Sequence, residues 1–171
     1  MNLVLIGYRG TGKTEIGKVL AERLGMEYMC TDNEVTKKEG RSIPEIVAAE
    51  GWSYFREKES EVADCISTRD GLVVDCGGGF VIERLENGEK LKKNSTIFLL
   101  TAEVGIIEDR IKGDTERPSL TEGDKTFIEE IEEVLTVRRP IYDSFKDHEV
   151  RTDDLTIDEV ASEVEIIWKG R

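Results

Sequence analysis

The sequence predicts an α/β fold in which a parallel sheet carries helices on both faces. The segments NLVLIG (2–7) and STIFLL (95–100) each contain an uninterrupted apolar run, which is typical of a strand buried on both faces. Such runs alternate along the chain with longer segments of helical periodicity. Strands that alternate with helices in this way are expected to pair in parallel, because each connection passes over a face of the sheet.

The first half of the chain gives three strands with helical segments between them. A strand at 2–7 precedes a helix that has apolar residues at helical spacing and Gly25 as its C-terminal stop. Two S/T-x-x-E capping boxes mark helix starts, and a charged helix leads into the next strand. The expected elements are a strand at 26–30, helix starts at Thr31 with Glu34 and at Ser42 with Glu45, where Pro44 lies in the first turn, a helix at 52–68 and a strand at 71–75.

The second half repeats the alternation with one polar interruption. The stretch GDTERPSLTEGDK (113–125) carries Pro and Gly and is expected to be a loop. Thr126 with Glu129 forms a third capping box, which starts a long helix reaching the 140s. The remaining elements are helices around 81–93, 102–112 and 156–169 and strands at 95–100 and 148–151.

Composition bounds the function. The 171 residues fit one domain, 1–171, and the net charge of −13 disfavours binding to nucleic acid or to an anionic membrane. The single histidine gives no support to a histidine metal site or to a Ser-His-Asp triad, and the three cysteines form no CxxC pair. No apolar run approaches the roughly 18 residues of a membrane span, and the first residues are expected to form a strand rather than a signal peptide. We expect a cytoplasmic protein with reduced thiols.

The segment GYRGTGKT (7–14), hereafter the phosphate loop, fits G-x-x-x-x-G-K-[ST] between a strand and a helix. Glycines let backbone N–H groups turn toward a phosphate, and the helix N-terminus adds partial positive charge. A lysine in this position reaches the β- and γ-phosphates, and the hydroxyl after it can bind Mg²⁺. The alternative is a glycine-rich turn without a ligand. The expected nucleotide-binding residues are Gly10, Thr11, Gly12, Lys13, Thr14 and Glu15, with Thr14 as a metal ligand.

Several motifs in this order resemble the shikimate kinase family. They are the phosphate loop, TDNEV, GRSIPEIVAAEGWSYFREKE, GGG after a strand, TERPSL and RRPIY, and together they span most of the chain. The resemblance implies a five-stranded parallel sheet with an acceptor-binding helical region at about 32–60 and a mobile lid at about 112–125. It also implies ATP- and Mg²⁺-dependent phosphorylation of a ring hydroxyl of shikimate to shikimate 3-phosphate, in the biosynthesis of chorismate and the aromatic amino acids.

The resemblance also implies roles for acceptor-site residues. Asp32 in TDNEV matches the carboxylate that binds the acceptor hydroxyls and can take a proton, and its alternative role is to favour the helix dipole. Arg56 matches an arginine that pairs with the acceptor carboxylate and is oriented by Glu59, although the two could form only a surface ion pair. The glycines 77–79 match the floor under the acceptor ring, or they form a flexible turn. Arg138 matches a second carboxylate-binding arginine, favoured over Arg139 by the R-x-P-x-Y spacing, although both could belong to a basic helix face.

Two further arginines match nucleotide-side positions. Arg117 in TERPSL matches the lid arginine that closes over the transferring phosphate and counts with Lys13 and Asp32 as catalytic. Arg110 matches a residue that stacks on adenine, and its alternative is a solvated position on a helix.

The chain departs from the family at the second strand end. The family pattern there is Asp-[Ser/Thr]-Asp, whereas this chain reads CTD, with Cys30 in place of the first aspartate that serves Mg²⁺. A neutral thiol is a poor partner for that hard ion. The strand LVVD, however, ends in Asp75, where the family commonly has an uncharged residue. We interpret Asp75 as the relocated magnesium carboxylate; the alternative is that it caps local backbone N–H groups.

Two bulky residues of the acceptor region leave the identity of the acceptor open. Trp52 and Tyr54 are bulkier than the family pattern suggests and either line the acceptor pocket or pack the helical region. Rival functions are another small-molecule kinase, of the gluconate or nucleotide type, and a nucleotide-binding module without catalysis. The sequence predicts a monomer that binds ATP and a small-molecule acceptor.

Overall fold

A computed structural model of the chain describes residues 1–112 and 126–170. Its five strands form one parallel sheet with the order β2-β3-β1-β4-β5, which confirms the predicted fold class. The first strand lies at the centre, as expected for a strand whose five residues are all buried. The strands are β1 (Asn2–Ile6), β2 (Glu27–Cys30), β3 (Leu72–Asp75), β4 (Ser95–Thr101) and β5 (His148–Arg151).

The described residues also form helices that connect these strands. The long third helix bends at Gly51, whose φ of 84° lies in a region that only glycine adopts easily. The helices are α1 (Lys13–Leu24), α2 (Thr31–Glu39), α3 (Ile43–Ser67), α4 (Leu85–Lys92), α5 (Val104–Ile111), α6 (Phe127–Phe145) and α7 (Ile157–Lys169). None of the helices within 1–112 and 126–170 is both long and apolar enough to cross a bilayer.

Alternate residues of the strands face two separate apolar cores. Leu3 and Leu5 of β1 pack with α1 and α7, while Val4 and Ile6 pack with α2, α3, α4 and α6. This alternation explains why β1 has no polar side chain between Leu3 and Ile6. A third, smaller core joins α5 and α6 to Tyr8 of the phosphate loop. The loop is therefore held between the sheet and the α5–α6 pair.

Most predicted elements are confirmed, and the differences have local causes. The capping boxes at Ser42 and Thr126 are formed. The one predicted at Thr31 is wrong: α2 begins without a side-chain cap, because the Thr31 hydroxyl accepts the N–H of Gly77 instead. The helix start expected at Ser42 and the helix expected at 52–68 are confirmed as the two parts of α3, which meet at the non-helical Gly51. The helix expected around 81–93 covers only Leu85–Lys92. The segment 113–125, which includes almost all of the predicted lid, lies outside the described residues.

Candidate active site

The carboxyl ends of β1, β2 and β3 meet at one edge of the sheet and surround a cavity of about 490 Å³. Ligands of open α/β sheets bind at this edge. The cavity is lined by Arg9, Gly10, Gly12, Lys13, Thr14, Glu15, Cys30, Asp32, Asp75, Cys76, Gly77, Gly78, Arg110 and Ile111.

The phosphate loop follows β1 and leads into α1 at one side of this cavity. Gly7, Gly10 and Gly12 have φ values of 141°, 80° and 89°, so the turn requires glycine at each of these positions. The Lys13 ammonium donates to the carbonyl oxygens of Gly7 and Tyr8, both at 2.9 Å, and it is mostly buried. The loop therefore presents a lysine and the free N-terminus of a helix to the cavity, which suits a phosphate group.

Two more loop residues have well-defined environments. Thr11 is buried, and its hydroxyl donates to the carbonyl oxygen of Tyr8 at 2.8 Å, which closes the turn. Glu15 lies exposed in the first turn of α1 and forms an ion pair of 3.0 Å with Lys18. Thr11 thus helps to shape the loop, while Glu15 places a carboxylate at the rim of the cavity.

Asp75 and Thr14 lie together in the lining of the cavity. The Thr14 hydroxyl donates to Oδ2 of Asp75 at 2.6 Å, and the Tyr28 hydroxyl donates to the same oxygen at 3.1 Å. Burial and the neighbouring Asp75 charge raise the pKa of Tyr28, so this hydroxyl stays protonated and can donate. Asp75 is only 4% exposed and pairs in register with Cys30 of β2. A carboxylate and a hydroxyl therefore converge beside the phosphate loop.

This donor set fits Mg²⁺. Mg²⁺ prefers oxygen ligands and retains several waters, so one hydroxyl with one nearby carboxylate is a common protein contribution. Cys30 does not fit, because burial raises the pKa of its thiol and keeps it neutral. Among residues 1–112 and 126–170 no group of three or more His, Cys, Asp or Glu side chains could hold a metal alone.

The glycine triplet (77–79) follows β3 and faces side chains of α2 and α3. A Cβ atom on Gly77 would lie 2.3 Å from Oδ1 of Asp32, and one on Gly79 would lie 3.0 Å from both terminal nitrogens of Arg56. No glycine of the triplet has a positive φ, so the close side chains, rather than the backbone conformation, favour glycine at positions 77 and 79. Asp32 and Arg56 therefore lie directly against the backbone of the triplet.

The middle glycine contacts α6 instead. The carbonyl oxygen of Gly78 accepts hydrogen bonds from Arg138 at 3.2 Å and from the Tyr142 hydroxyl at 2.6 Å. The Arg138 side chain is 11% exposed. Arg139 points away from the triplet, and its side chain is 43% exposed. It pairs with Asp143 at 2.9 Å and with Glu149 at 2.7 Å. Of the two neighbouring arginines, the structure places Arg138 at the glycine triplet.

Arg56 is held by a buried acid and two aromatic rings. Its guanidinium lies 2.6 Å from Oε2 of Glu59, which is only 1% exposed, and within 5.2 and 5.3 Å of the ring centres of Trp52 and Phe55. Burial raises the pKa of Glu59 to about 7, against the lowering effect of the Arg56 charge. Tyr54, in contrast, donates to Glu39 at 3.1 Å and packs on the helical region.

Arg110 bridges the phosphate loop and the residue after β5. It donates to Gly10 at 3.2 Å and to the hydroxyl and carbonyl oxygens of Thr152 at 2.9 and 2.6 Å. Its predicted stacking on adenine stays a prediction. Arg117 lies outside the described residues, so its predicted catalytic position also stays a prediction.

Comparison with known proteins identifies the family. The family model described as shikimate kinase matches residues 9–167. The shikimate kinase of Syntrophus aciditrophicus (strain SB) is 42% identical, with 95% of this chain and 88% of the relative covered, and that of Caldicellulosiruptor bescii is 39% identical, with 95% and 92% covered. The chain belongs to the shikimate kinase family. It is therefore a phosphotransferase of a family that uses ATP and acts on a hydroxyl group.

Solved structures agree with this assignment. A shikimate kinase from Acinetobacter baumannii, determined in complex with shikimate, superposes with a TM-score of 0.90 at 30% identity, covering 99% of this chain and 94% of the other. A gluconokinase from Sinorhizobium meliloti superposes with a TM-score of 0.57 at 14% identity, covering 99% and 97%, which shows a shared fold alone.

Sequence reasoning missed several residues of this shikimate kinase site. Tyr28 lies two residues before Cys30 and so shares its face of β2, and this spacing is a signal that Tyr28 is near the site. Tyr142 is the tyrosine of the RRPIY motif. Thr31 was expected only as a helix cap, and Arg9 occupies an unspecified position of the phosphate-loop pattern.

Proposed function

We propose that this chain catalyses Mg²⁺-dependent transfer of the γ-phosphoryl group of ATP to a ring hydroxyl of shikimate, giving shikimate 3-phosphate. One observation carries the proposal. Beside the phosphate loop, Gly77 lies against Asp32, Gly78 against Arg138 and Gly79 against Arg56. A carboxylate that can bind a hydroxyl and two arginines therefore surround the same glycine triplet. A small hydroxylated ring acid is the acceptor that this combination suits.

The acceptor would be held by its carboxylate and by its hydroxyls. Arg56 and Arg138 each present a planar guanidinium, which can bind both oxygens of a carboxylate. The backbone of 77–79 carries no side chain to keep a ring away. Asp32 would orient the reacting hydroxyl and accept its proton, and little base strength is needed in a loose phosphoryl-transfer transition state.

The phosphate loop would bind the nucleotide through Lys13 and the N-terminal amides of α1. Lys13 now donates to loop carbonyl oxygens and would turn toward the β- and γ-phosphates. We assign Gly10, Thr11, Gly12 and Glu15 to the nucleotide site, Arg110 to the adenine side and Arg117 to the transferring phosphoryl group. Arg110 supports this through its hydrogen bond to Gly10.

Thr14 and Asp75 would hold the metal ion of the ATP complex. A bound Mg²⁺ would supply positive charge at the β- and γ-phosphates. The hydrogen bond between Thr14 and Asp75 supports our assignment of Asp75 as the carboxylate that replaces the family aspartate at position 30. The alternative role for Asp75, a cap for backbone N–H groups, has less support, since two side-chain hydroxyls donate to its Oδ2.

The organisation of the molecule follows from the same proposal. We assign 1–171 to one kinase domain, 32–60 to acceptor binding and 112–125 to a lid. We propose that the protein is a monomer. A cytoplasmic location is supported by the free thiols of Cys30, Cys65 and Cys76.

The rival functions make different predictions. Two arginines at the glycine triplet suit a ring with a carboxylate better than they suit the acceptor of a gluconate or nucleotide kinase. A module without catalysis would leave Arg56 and Arg138 dispensable.

The test is ADP release from Mg-ATP with shikimate, with gluconate, with AMP and with no acceptor. We expect turnover with shikimate alone. Turnover with gluconate or AMP, or nucleotide binding without turnover on shikimate, would contradict the proposal.

A further inference from the structure

Arg9, at the third position of the phosphate loop, extends from the loop to the start of α6. Its guanidinium lies 5.8 Å from the ring centres of both Tyr8 and Phe127, and a terminal nitrogen lies 3.7 Å from Oε1 of Glu130. The Arg9 side chain is 12% exposed and that of Glu130 is 9% exposed. An arginine buried in this way, with aromatic and acidic partners on α6, connects two elements that are remote in sequence.

The same helix reaches the acceptor side of the cavity. Arg138 and Tyr142 of α6 donate to the carbonyl oxygen of Gly78, and the Arg138 guanidinium lies 5.9 Å from the centre of the Tyr8 ring. Tyr8 is only 1% exposed. Arg9 and Arg138 thus contact the same buried ring.

Apolar packing already holds α6, through Ile131 and Val134 in the smaller core and through Tyr142 and Phe145 in the larger one. The contacts of Arg9 and Arg138 add polar attachments at two places on the helix. Glu130 and Arg138 are separated by eight residues, which corresponds to roughly 12 Å along a helix. The contact of Arg9 therefore adjusts where the N-terminal turns of α6 lie against the phosphate loop, and with them the position of Arg138. Arginine suits position 9 because the planar face of its guanidinium can stack on aromatic rings while its edge binds a carboxylate.

We propose that Arg9 is a positioning residue of the acceptor site: it fastens the first turns of α6 to the phosphate loop and thereby holds Arg138 in place for the acceptor carboxylate. The inference rests on the proposed function, since it takes shikimate as the acceptor. It adds a specificity role for a loop position that the nucleotide-binding pattern leaves unspecified. Because Arg9 acts through Arg138, its loss should weaken acceptor binding and leave nucleotide binding largely intact.

The first experiment compares shikimate and ATP binding in Arg9→Met, Arg9→Lys and wild type. Losing a partly desolvated cation–π contact should raise the Kd and KM for shikimate roughly threefold to thirtyfold. The Kd of Arg9→Lys for shikimate should lie between those of wild type and Arg9→Met, because lysine keeps the positive charge and lacks the planar guanidinium. The Kd for ATP alone should change by less than about twofold. Arg139→Met, at the outward-facing neighbour of Arg138, is the matched control and should bind shikimate as wild type does.

A double-mutant cycle with Arg138→Met separates positioning from direct action. If Arg9 acts through Arg138, the double variant should bind shikimate as Arg138→Met does, whereas independent actions would multiply. Phe127→Leu, which leaves Arg9 in place and removes one ring beneath it, gives a milder variant and should weaken shikimate binding in the same direction.

The outcomes separate the inference from the proposed function. Wild-type enzyme that does not bind shikimate would overturn the proposed function. With wild-type binding present, the inference would be overturned by unchanged shikimate affinity in folded Arg9→Met, by an equal or larger loss for ATP, or by multiplicative losses in the double variant.

Discussion

The hydroxyl of Thr14 donates a hydrogen bond of 2.6 Å to Oδ2 of Asp75, and it joins the first turn of α1 to the end of β3. In this chain the carboxylate beside the phosphate-loop hydroxyl is therefore supplied by β3. Position 30 on the neighbouring strand, in register with Asp75, carries a neutral thiol. The magnesium site that we propose has moved by one strand, with its charge retained.

Asp75→Asn should strongly weaken Mg²⁺-dependent turnover. The amide keeps the shape of the side chain and removes its charge, which at about 4 Å and an effective dielectric of 20 is worth about 4 kcal/mol per charge on the ion. We expect the Mg²⁺ concentration for half-maximal turnover to rise by about a hundredfold or more. The measurement is turnover against free Mg²⁺ with saturating ATP and shikimate. Asp64→Asn, at an exposed acid on α3, is the control, and an unchanged Mg²⁺ dependence in Asp75→Asn would contradict the assignment.

Arg56→Met and Arg138→Met should each raise the KM for shikimate. Hydrogen bonds to a charged group contribute about 1.5–3 kcal/mol, so a rise of roughly tenfold to a hundredfold is expected. The ATP KM should stay close to the wild-type value. Steady-state kinetics measure both constants, with Arg139→Met as the exposed control. Equal effects of Arg138→Met and Arg139→Met would show that the inward position of Arg138 is not what matters.

Gly77→Ala should damage acceptor binding more than nucleotide binding. A Cβ at this position would lie 2.3 Å from Oδ1 of Asp32, so that the carboxylate has to move. Gly105→Ala in α5 is the matched control, since a Cβ there meets nothing within 4 Å. Calorimetric titration with shikimate and with ATP measures the two affinities. A Gly77→Ala enzyme with wild-type shikimate affinity would mean that the position of Asp32 is unimportant.

Glu59 should make stability fall as pH rises from about 4.5 to 7. Burial raises the pKa of Glu59 to about 7 in the folded protein, from a usual value of 4.5, so the folded state binds more protons than the unfolded state within this range. The stabilising protonation is fully present below the unfolded pKa and is lost as pH rises through the folded one. Glu59→Gln should therefore show a flatter dependence of unfolding free energy on pH.

Urea unfolding at several pH values between 4.5 and 7.5 measures this effect. Glu61→Gln, at the exposed acid two residues farther along α3, should keep the wild-type slope. An identical slope in wild type and Glu59→Gln would contradict the assignment to Glu59.

The sequence predicted what depends on local pattern. The phosphate loop and the buried strand β4 could be predicted because glycine spacing and uninterrupted apolar runs are local signals. The resemblance implied that Glu59 orients Arg56, and their i,i+3 spacing is compatible with the contact that the structure has. The resemblance to a family then indicated the order of the acceptor-site motifs.

The remaining contacts depend on tertiary structure. Thr31 has the local pattern of a helix cap, yet its hydroxyl accepts a hydrogen bond from Gly77, which is 46 residues away. The hydrogen bond from Tyr28 to Asp75 requires the register of β2 and β3. Likewise, the contact of Arg9 with Phe127 exists only because α6 packs beside the phosphate loop.

We propose that Asp75 performs the magnesium role of the family aspartate that Cys30 replaces. Cys30 and Asp75 are register partners on parallel strands, which lie roughly 4.8 Å apart, so either position can place a carboxylate near Thr14. The decisive measurement is Mg²⁺-dependent turnover of shikimate by Asp75→Ser and by the double variant Cys30→Asp, Asp75→Ser. We predict that the single variant loses about a hundredfold or more in turnover and that the double variant regains most of it. A single variant with normal Mg²⁺ dependence, or a double variant as inactive as the single one, would contradict the account.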